Sequence, residues 1–244
     1  MWQLGGKAIY LSPDEVGLGR RERISDAAET LSRFVDGIVS RTFSHQDLES
    51  LAKYARVPVI NALSNKEHPC QALGDLLTVY EKKGKLKGLS LAFIGDGNNV
   101  ARSLLFATSL VGVNFSIASP KGYALEDTIL HQAQEFALKS GANILTTSDP
   151  HFALENADIV YTDVWTSMGH EAEAEARRLA FAAYQVNTQL LSLAKKDALL
   201  MHPLPAHHGE EIAEGLLNHS QSVVFDQAEN RLHIQKAILL ELLG

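Results

Sequence analysis

Cysteine is almost absent from this chain: Cys70 is the only one. An intrachain disulfide and a Cys-built zinc cluster are thereby excluded. No apolar run approaches the roughly 18 residues of a membrane-crossing helix. The formal net charge of -7 leaves no basic footprint for nucleic acid or an anionic membrane. Small anionic substrates stay open, because local arginines matter more than the total. The opening Met1-Trp2-Gln3-Leu4-Gly5-Gly6 lacks the basic and apolar regions of a signal peptide, so a cytoplasmic location is expected. Internal repeats and low-complexity linkers are missing too.

The 244 residues suffice for one or two domains. Strand-like and helix-like segments alternate along them. Strands are expected at Ala8–Leu11, Gly37–Ser40, Val57–Ala62, Ser90–Gly95, Asn114–Ala118, Asn143–Thr146, Ile159–Thr162, Ala198–Met201 and Val223–Phe225. Helices are expected at Ser25–Phe34, Gln46–Tyr54 (capped near Ser44), His68–Glu81, Asn99–Leu110, Ala124–Ser140, near Glu171–Tyr184, and at Asn230–Leu243. This β-α alternation predicts an α/β fold: two lobes of parallel sheet flanked by helices. The division falls near Lys83–Gly88, giving domains over 1–86 and 87–226 and a C-terminal helix over 227–244. With about three strands the first lobe is small and reads as incomplete. Its start resembles the final turn and C-cap of a helix whose beginning is missing.

Five places carry residues suited to chemistry. Ala198-Leu199-Leu200-Met201 runs into His202-Pro203-Leu204-Pro205, where two prolines force a sharp break at a strand's carboxyl end. Ligands of open α/β sheets sit there, and a rigid turn can aim backbone carbonyls at a small substrate. Gly95-Asp96-Gly97-Asn98-Asn99 stands between a strand and a helix. It is open to three readings: a dinucleotide loop, a tight turn needing glycine, or a turn aiming the Asn99 amide at a polar substrate. The dinucleotide reading lacks its third small residue and its acidic partner, since Ala118-Ser119-Pro120-Lys121 follows the next strand.

His68-Pro69-Cys70-Gln71 opens a helix with proline at its first position. Imidazole, amide and free N–H groups there suit a carbonyl oxygen or a phosphate. Equally, Gln71 can reach back to the N-cap as a capping box. Asp163-Val164-Trp165-Thr166-Ser167-Met168-Gly169 offers a carboxylate and a hydroxyl to an amino acid, or a helix cap from Asp163. Arg41 ends a strand and Arg231 lies near the last helix; single arginines of this kind are usually solvated. His202, His207, His208 and Glu210 lack the helical i, i+4 spacing of a histidine ligand pair, so no metal is expected.

Taken together these segments resemble the ornithine carbamoyltransferase family: His-Pro-Cys-Gln at 68–71, Gly-Asp-Gly-Asn-Asn at 95–99, Asp-Val-Trp-x-Ser-Met-Gly at 163–169, His-x-Leu-Pro at 202–205 and Ala-Glu-Asn-Arg at 228–231. They stand in family order from Trp2 to Leu243. The resemblance implies one lobe for carbamoyl phosphate, one for the amino acid, and a C-terminal helix returning to the first. It also implies a homotrimer without cofactor or metal. Arg41, His68, Gln71 and Arg231 would contact carbamoyl phosphate, and the carbonyls of Pro203 and Leu204 its NH₂ group. Asn99, Asp163, Ser167 and Met168 would hold L-ornithine. His68, Arg41 and Pro203 would stand nearest the chemistry that makes citrulline and phosphate.

Four departures from the family pattern qualify this. The Ser-Thr-Arg-Thr phosphate loop is not in the chain, which implies a fragment of impaired activity. The usual cysteine of His-Cys-Leu-Pro is Pro203, as in the aspartate carbamoyltransferases. Gly17 stands where a glutamine is common, and His208 where an arginine is. The competing readings are a carbamoyltransferase for aspartate, putrescine or an N-acylornithine, and a non-catalytic paralogue. Pro203 leans toward aspartate. The Asp163 carboxylate leans toward ornithine, because it attracts an α-ammonium and repels an acidic acceptor.

Overall fold

The structure, a computed structural model, describes all residues except 13–16, 18, 20, 168 and 170. The chain packs as two compact units, Met1–Cys70 with Leu232–Gly244, and Gln71–Arg231.

In the first unit α1 (Ile24–Leu31), β1 (Ile38–Arg41), α2 (His45–Tyr54) and β2 (Val59–Leu63) alternate. Ser44 caps α2 as expected, its side chain accepting the Asp47 N–H at 3.2 Å. β1 and β2 form a two-stranded parallel sheet whose register slips between Ser40 and Arg41. The third strand expected here, Ala8–Leu11, carries no regular structure and pairs with no strand among the described residues. Its Ile9 and Tyr10 are 78% and 84% exposed, so the apolar run has no surface to bury against. Met1–Gly6 forms one 3₁₀ turn, Trp2–Leu4, closed by Gly5 at φ 79°, the left-handed cap its sequence suggests.

In the second unit the elements are α3 (Pro69–Lys83), β3 (Ser90–Ile94), α4 (Asn99–Val111), β4 (Asn114–Ala118), α5 (Asp127–Ser140), β5 (Ile144–Thr147), α6 (Pro150–Leu154), β6 (Ile159–Thr162), α7 (Ala174–Phe181), α8 (Thr188–Leu191) and β7 (Leu199–Met201). The last helix, α9 (Val224–Leu243), starts here. α3 and α9 each cross a division between the units, since Pro69–Cys70 and Leu232–Leu243 are counted with the first. All five strands of this sheet run parallel, in the order β5-β4-β3-β6-β7.

Alternate residues of the central strands feed two cores. Leu91, Phe93, Ile159, Tyr161 and Met201 join Leu104 and Leu105 of α4 on one face. Ala92, Ile94, Val160 and Leu200 join Trp165, Phe181 and Tyr184 on the other. Each large apolar side chain so buried stabilises the fold by about 1.5–3 kcal/mol. The strand expected at Val223–Phe225 is instead the entry to α9. The residues ahead of it pair with the sheet: the Leu200 and Val223 N–H groups donate to the Gln221 and Leu200 carbonyls. A three-residue apolar run fits strand or helix equally well, and its length could not decide.

Candidate active site

β3 is where the sheet changes direction, the chain passing first to β4 and β5 and then to β6 and β7. The loops that leave β3 and β6 are therefore neighbours at the carboxyl edge, the place where open α/β sheets bind ligands.

The β3 loop is shaped by Gly97. A Cβ there would stand 2.5 Å from the Leu125 nitrogen and 2.7 Å from the Ala124 carbonyl carbon, both backbone atoms that cannot yield. Glycine thus serves a close chain crossing. Asn98 follows and caps α4, its Oδ1 accepting the N–H groups of Val100 and Ala101, each at 3.0 Å. With these donors occupied, the helix start is no open phosphate cradle, and the tight-turn reading holds.

The other end of Asn98 reaches the β6 loop. Its Nδ2 donates to Asp163 Oδ2 at 2.7 Å and lies 3.4 Å from Ser167 Oγ. Asn98, Asp163 and Ser167 therefore form one cluster. Asn99, the residue the resemblance names, is the first residue of α4, and sequence reasoning did not single out its neighbour Asn98. The N-cap preference for asparagine just ahead of a helix was the available signal. Asp163 is 7% exposed and does not cap the helix beyond it. Burial raises its pKa, against the hydrogen bonds it accepts from the Asn98 amide and the Val164 N–H. Met168 lies outside the described residues.

Arg177 braces the same two loops from α7. Its Nη1 donates to Asp96 Oδ2 at 2.7 Å and to the Trp165 carbonyl at 2.9 Å, with the guanidinium 4.9 Å from the Tyr123 ring centre.

The turn after β7 is held by its own histidine. Leu204 has φ 54°, a left-handed conformation rare for leucine, and the Leu204–Pro205 peptide is cis. His202 Nδ1 accepts the Leu204 N–H at 2.9 Å. His202 Nε2 lies 3.1 Å from Glu211 Oε1, which also accepts the His207 N–H at 2.6 Å. Pro203 and Leu204 are half-buried at the head of this turn. His202 stands outside the one group of possible metal donors among the described residues, His207, Glu210 and Glu211. There Glu211 already engages the turn through its Oε1.

Behind the turn lies a buried polar network. Asp75 Oδ1 accepts from Gln71 Nε2 at 2.8 Å and from Gln227 Nε2 at 2.7 Å, and Asp75 Oδ2 accepts from the Tyr161 hydroxyl at 2.9 Å. Gln227 Oε1 accepts the His202 N–H at 2.9 Å. Gln71 Oε1 accepts from Arg231 Nη1 at 2.7 Å. Gln71 is wholly buried and does not reach back as a capping box, because both ends of its amide are engaged. Arg231 is likewise no solvated surface arginine. Sequence reasoning missed Asp75, Tyr161 and Gln227; only the i, i+4 spacing of Gln71 and Asp75 could have hinted at the first.

Arg41 and His68 belong to the first unit. Arg41 is exposed at the end of β1, beyond the register slip, and pairs with Leu63. His68 is buried and stands immediately ahead of Pro69, the first residue of α3, as expected.

Two family models match. The aspartate/ornithine carbamoyltransferase carbamoyl-P binding domain covers residues 1–81, and the Asp/Orn binding domain of the same family covers residues 87–242. An ornithine carbamoyltransferase of Anoxybacillus flavithermus is 53% identical over all of this chain and 77% of its own length. The chain belongs to the ornithine carbamoyltransferase family. Solved members agree in three dimensions. The Pyrococcus furiosus ornithine carbamoyltransferase is 50% identical with a TM-score of 0.97, over 100% of this chain and 78% of its own. The Thermus thermophilus structure of the same name is 46% identical with a TM-score of 0.89, over 99% and 78%.

Proposed function

We propose that this chain transfers the carbamoyl group of carbamoyl phosphate to the δ-amine of L-ornithine, giving L-citrulline and phosphate. The observation that carries this is the Asn98–Asp163–Ser167 cluster at the carboxyl edge of the second sheet, in a chain about half identical to proteins named for that activity. A buried carboxylate there pairs with the acceptor's α-ammonium, and the hydroxyl and amide suit its carboxylate. Aspartate would bring a second negative charge toward Asp163, which disfavours it as acceptor.

The residue roles follow from the chemistry. The neutral δ-amine attacks the carbamoyl carbon, the new N–C bond forms, the C–O bond to phosphate breaks, and the amine releases a proton. Negative charge gathers on the carbonyl oxygen, where His68 and Arg41 are the donors. Arg231 offsets the charge of the phosphate, and Gln71 with the Pro203 and Leu204 carbonyls accepts from the carbamoyl NH₂. Ser167, Met168 and the Asn98–Asn99 pair complete the amino-acid site. Residues 1–86 serve as the carbamoyl-phosphate domain, 87–226 as the ornithine domain, and 227–244 as the helix returning to the first. A cytoplasmic homotrimer completes this reading, and light scattering tests its assembly.

Citrulline formation, measured with ornithine, putrescine and aspartate as competing acceptors, tests the assignment. Ornithine is expected to be preferred, and Asp163→Asn to lower kcat/KM for it by about 100-fold, the loss of one buried charge pair. Preference for aspartate or putrescine would overturn it.

A further inference from the structure

The geometry points to Asp75 as a positioning residue that sets which way the Gln71 amide faces, and so which chemistry Gln71 offers to the carbamoyl group. This deepens the proposed function and rests on it.

A primary amide has nearly the same shape in either orientation, but its two ends are chemical opposites. At Gln71 the choice is made from behind. Asp75 lies one turn further along α3, and its ionised carboxylate only accepts. It takes the Gln71 N–H at 2.8 Å, so Oε1 must face the other way, where Arg231 Nη1 meets it at 2.7 Å. Flipped, the amide would turn its NH₂ toward a guanidinium and toward the carbamoyl NH₂, three sets of donors without an acceptor.

The same carboxylate orients a second amide. Gln227 from α9 donates to Asp75 Oδ1 at 2.7 Å, which leaves its Oε1 to accept the His202 N–H at 2.9 Å. That N–H opens the turn bearing Pro203 and Leu204. One acceptor therefore fixes the polarity of two groups on separate elements that both serve the carbamoyl NH₂.

The arrangement is expensive as pure architecture. Asp75 has no cation in direct contact among its described hydrogen bonds, and burial pushes its pKa up to about 6 against the pull of Gln71, Gln227, Tyr161 and the more distant Arg231. The groups facing it are Gln71 on α3, Tyr161 on β6, and Gln227 and Arg231 on α9. Tyr161 is pushed well above its usual range and stays a donor. An apolar side chain of similar volume would be tolerated at least as well if filling space were the task. What it could not do is dictate the direction of two amides.

A double-mutant cycle tests this. Asp75→Asn keeps the shape and removes the charge. It is expected to raise KM for carbamoyl phosphate about tenfold, as loss of a charge-assisted hydrogen bond would. In a Gln71→Ala background the same change is expected to add clearly less, about threefold, because only the route through Gln227 remains. Fully multiplicative effects, or an unchanged KM for Asp75→Asn, would overturn the proposal. Circular dichroism melts confirm that each variant is folded. A second arm needs no turnover: the side-chain NH₂ resonances of Gln71 (assigned by their loss in Gln71→Ala) and of Gln227 are followed with pH. They are expected to shift together near pH 6 in the wild type and not in Asp75→Asn. Independent or absent titration rejects the shared carboxylate. If the wild-type protein forms no citrulline, the proposed function falls, and this second arm still decides the part played by Asp75.

Discussion

The Nδ1 atom of His202 accepts the Leu204 N–H at 2.9 Å, and that contact dictates the tautomer of the ring. An accepting Nδ1 carries no proton, so the neutral ring holds its hydrogen on Nε2, where Glu211 receives it at 3.1 Å. Long-range ¹⁵N NMR is expected to report Nε2–H as the tautomer of the neutral ring. His202→Phe would leave a backbone donor and a buried carboxylate without their partner, at about 3–5 kcal/mol of unfolding free energy. A loss below 1 kcal/mol in urea titrations would mean that the turn does not depend on the ring.

Leu204 is held at φ 54°. Left-handed backbone costs an L-residue about 1–2 kcal/mol, and branching at Cβ adds to it. Leu204→Val is expected to destabilise by about 1–2 kcal/mol. In Leu204→Gly, relief of strain offsets much of the lost packing, so glycine should be the better tolerated of the two. The reverse order, read from equilibrium unfolding, would contradict the strained geometry.

Asn98 has two tasks that substitution can separate. Asn98→Ala removes both the helix cap and the donor to Asp163, and should cost about 2 kcal/mol. Asn98→Ser can still cap and should recover about half of that stability. It does not reach Asp163, so affinity for ornithine should fall about equally in both variants. Calorimetric titration with ornithine that finds the serine variant indistinguishable from wild type would exclude the contact.

Acid dependence of stability carries the signature of the buried carboxylates. Asp75 ionises near 6 in the fold and near 3.8 when unfolded, so between those values the native state binds the extra proton. Its contribution is full below pH 3.8 and is lost as pH rises through about 6, a change on the order of 3 kcal/mol. The raised carboxyl of Asp163 acts with the same sign. Asp75→Asn is therefore expected to flatten the fall in stability over that window. Parallel pH profiles for variant and wild type would show that Asp75 is not held as described.

The strands at Asn114–Ala118 and Ile159–Thr162 were legible to the residue, because short apolar runs are how doubly covered parallel strands are written. Ala8–Leu11 looks the same locally, but it pairs with no strand among the described residues. The site divides in a similar way. Asp163 and Arg231 announced themselves through motif and resemblance. Asp75, Tyr161 and Gln227 did not, since a hydrogen bond across 86 or 152 positions leaves no trace in local pattern.

The reversal of strand order at β3 sets Asn98 against Asp163 although 65 positions of chain separate them. Everything between them, from α4 round to β6, is a detour that starts and returns at the same edge. Its peripheral helices can lengthen, shorten or change surface without moving the Asn98–Asp163 pair. An engineer wishing to graft a new acceptor specificity should therefore exchange the two loops as a matched set, because each alone would lose its hydrogen-bonding counterpart.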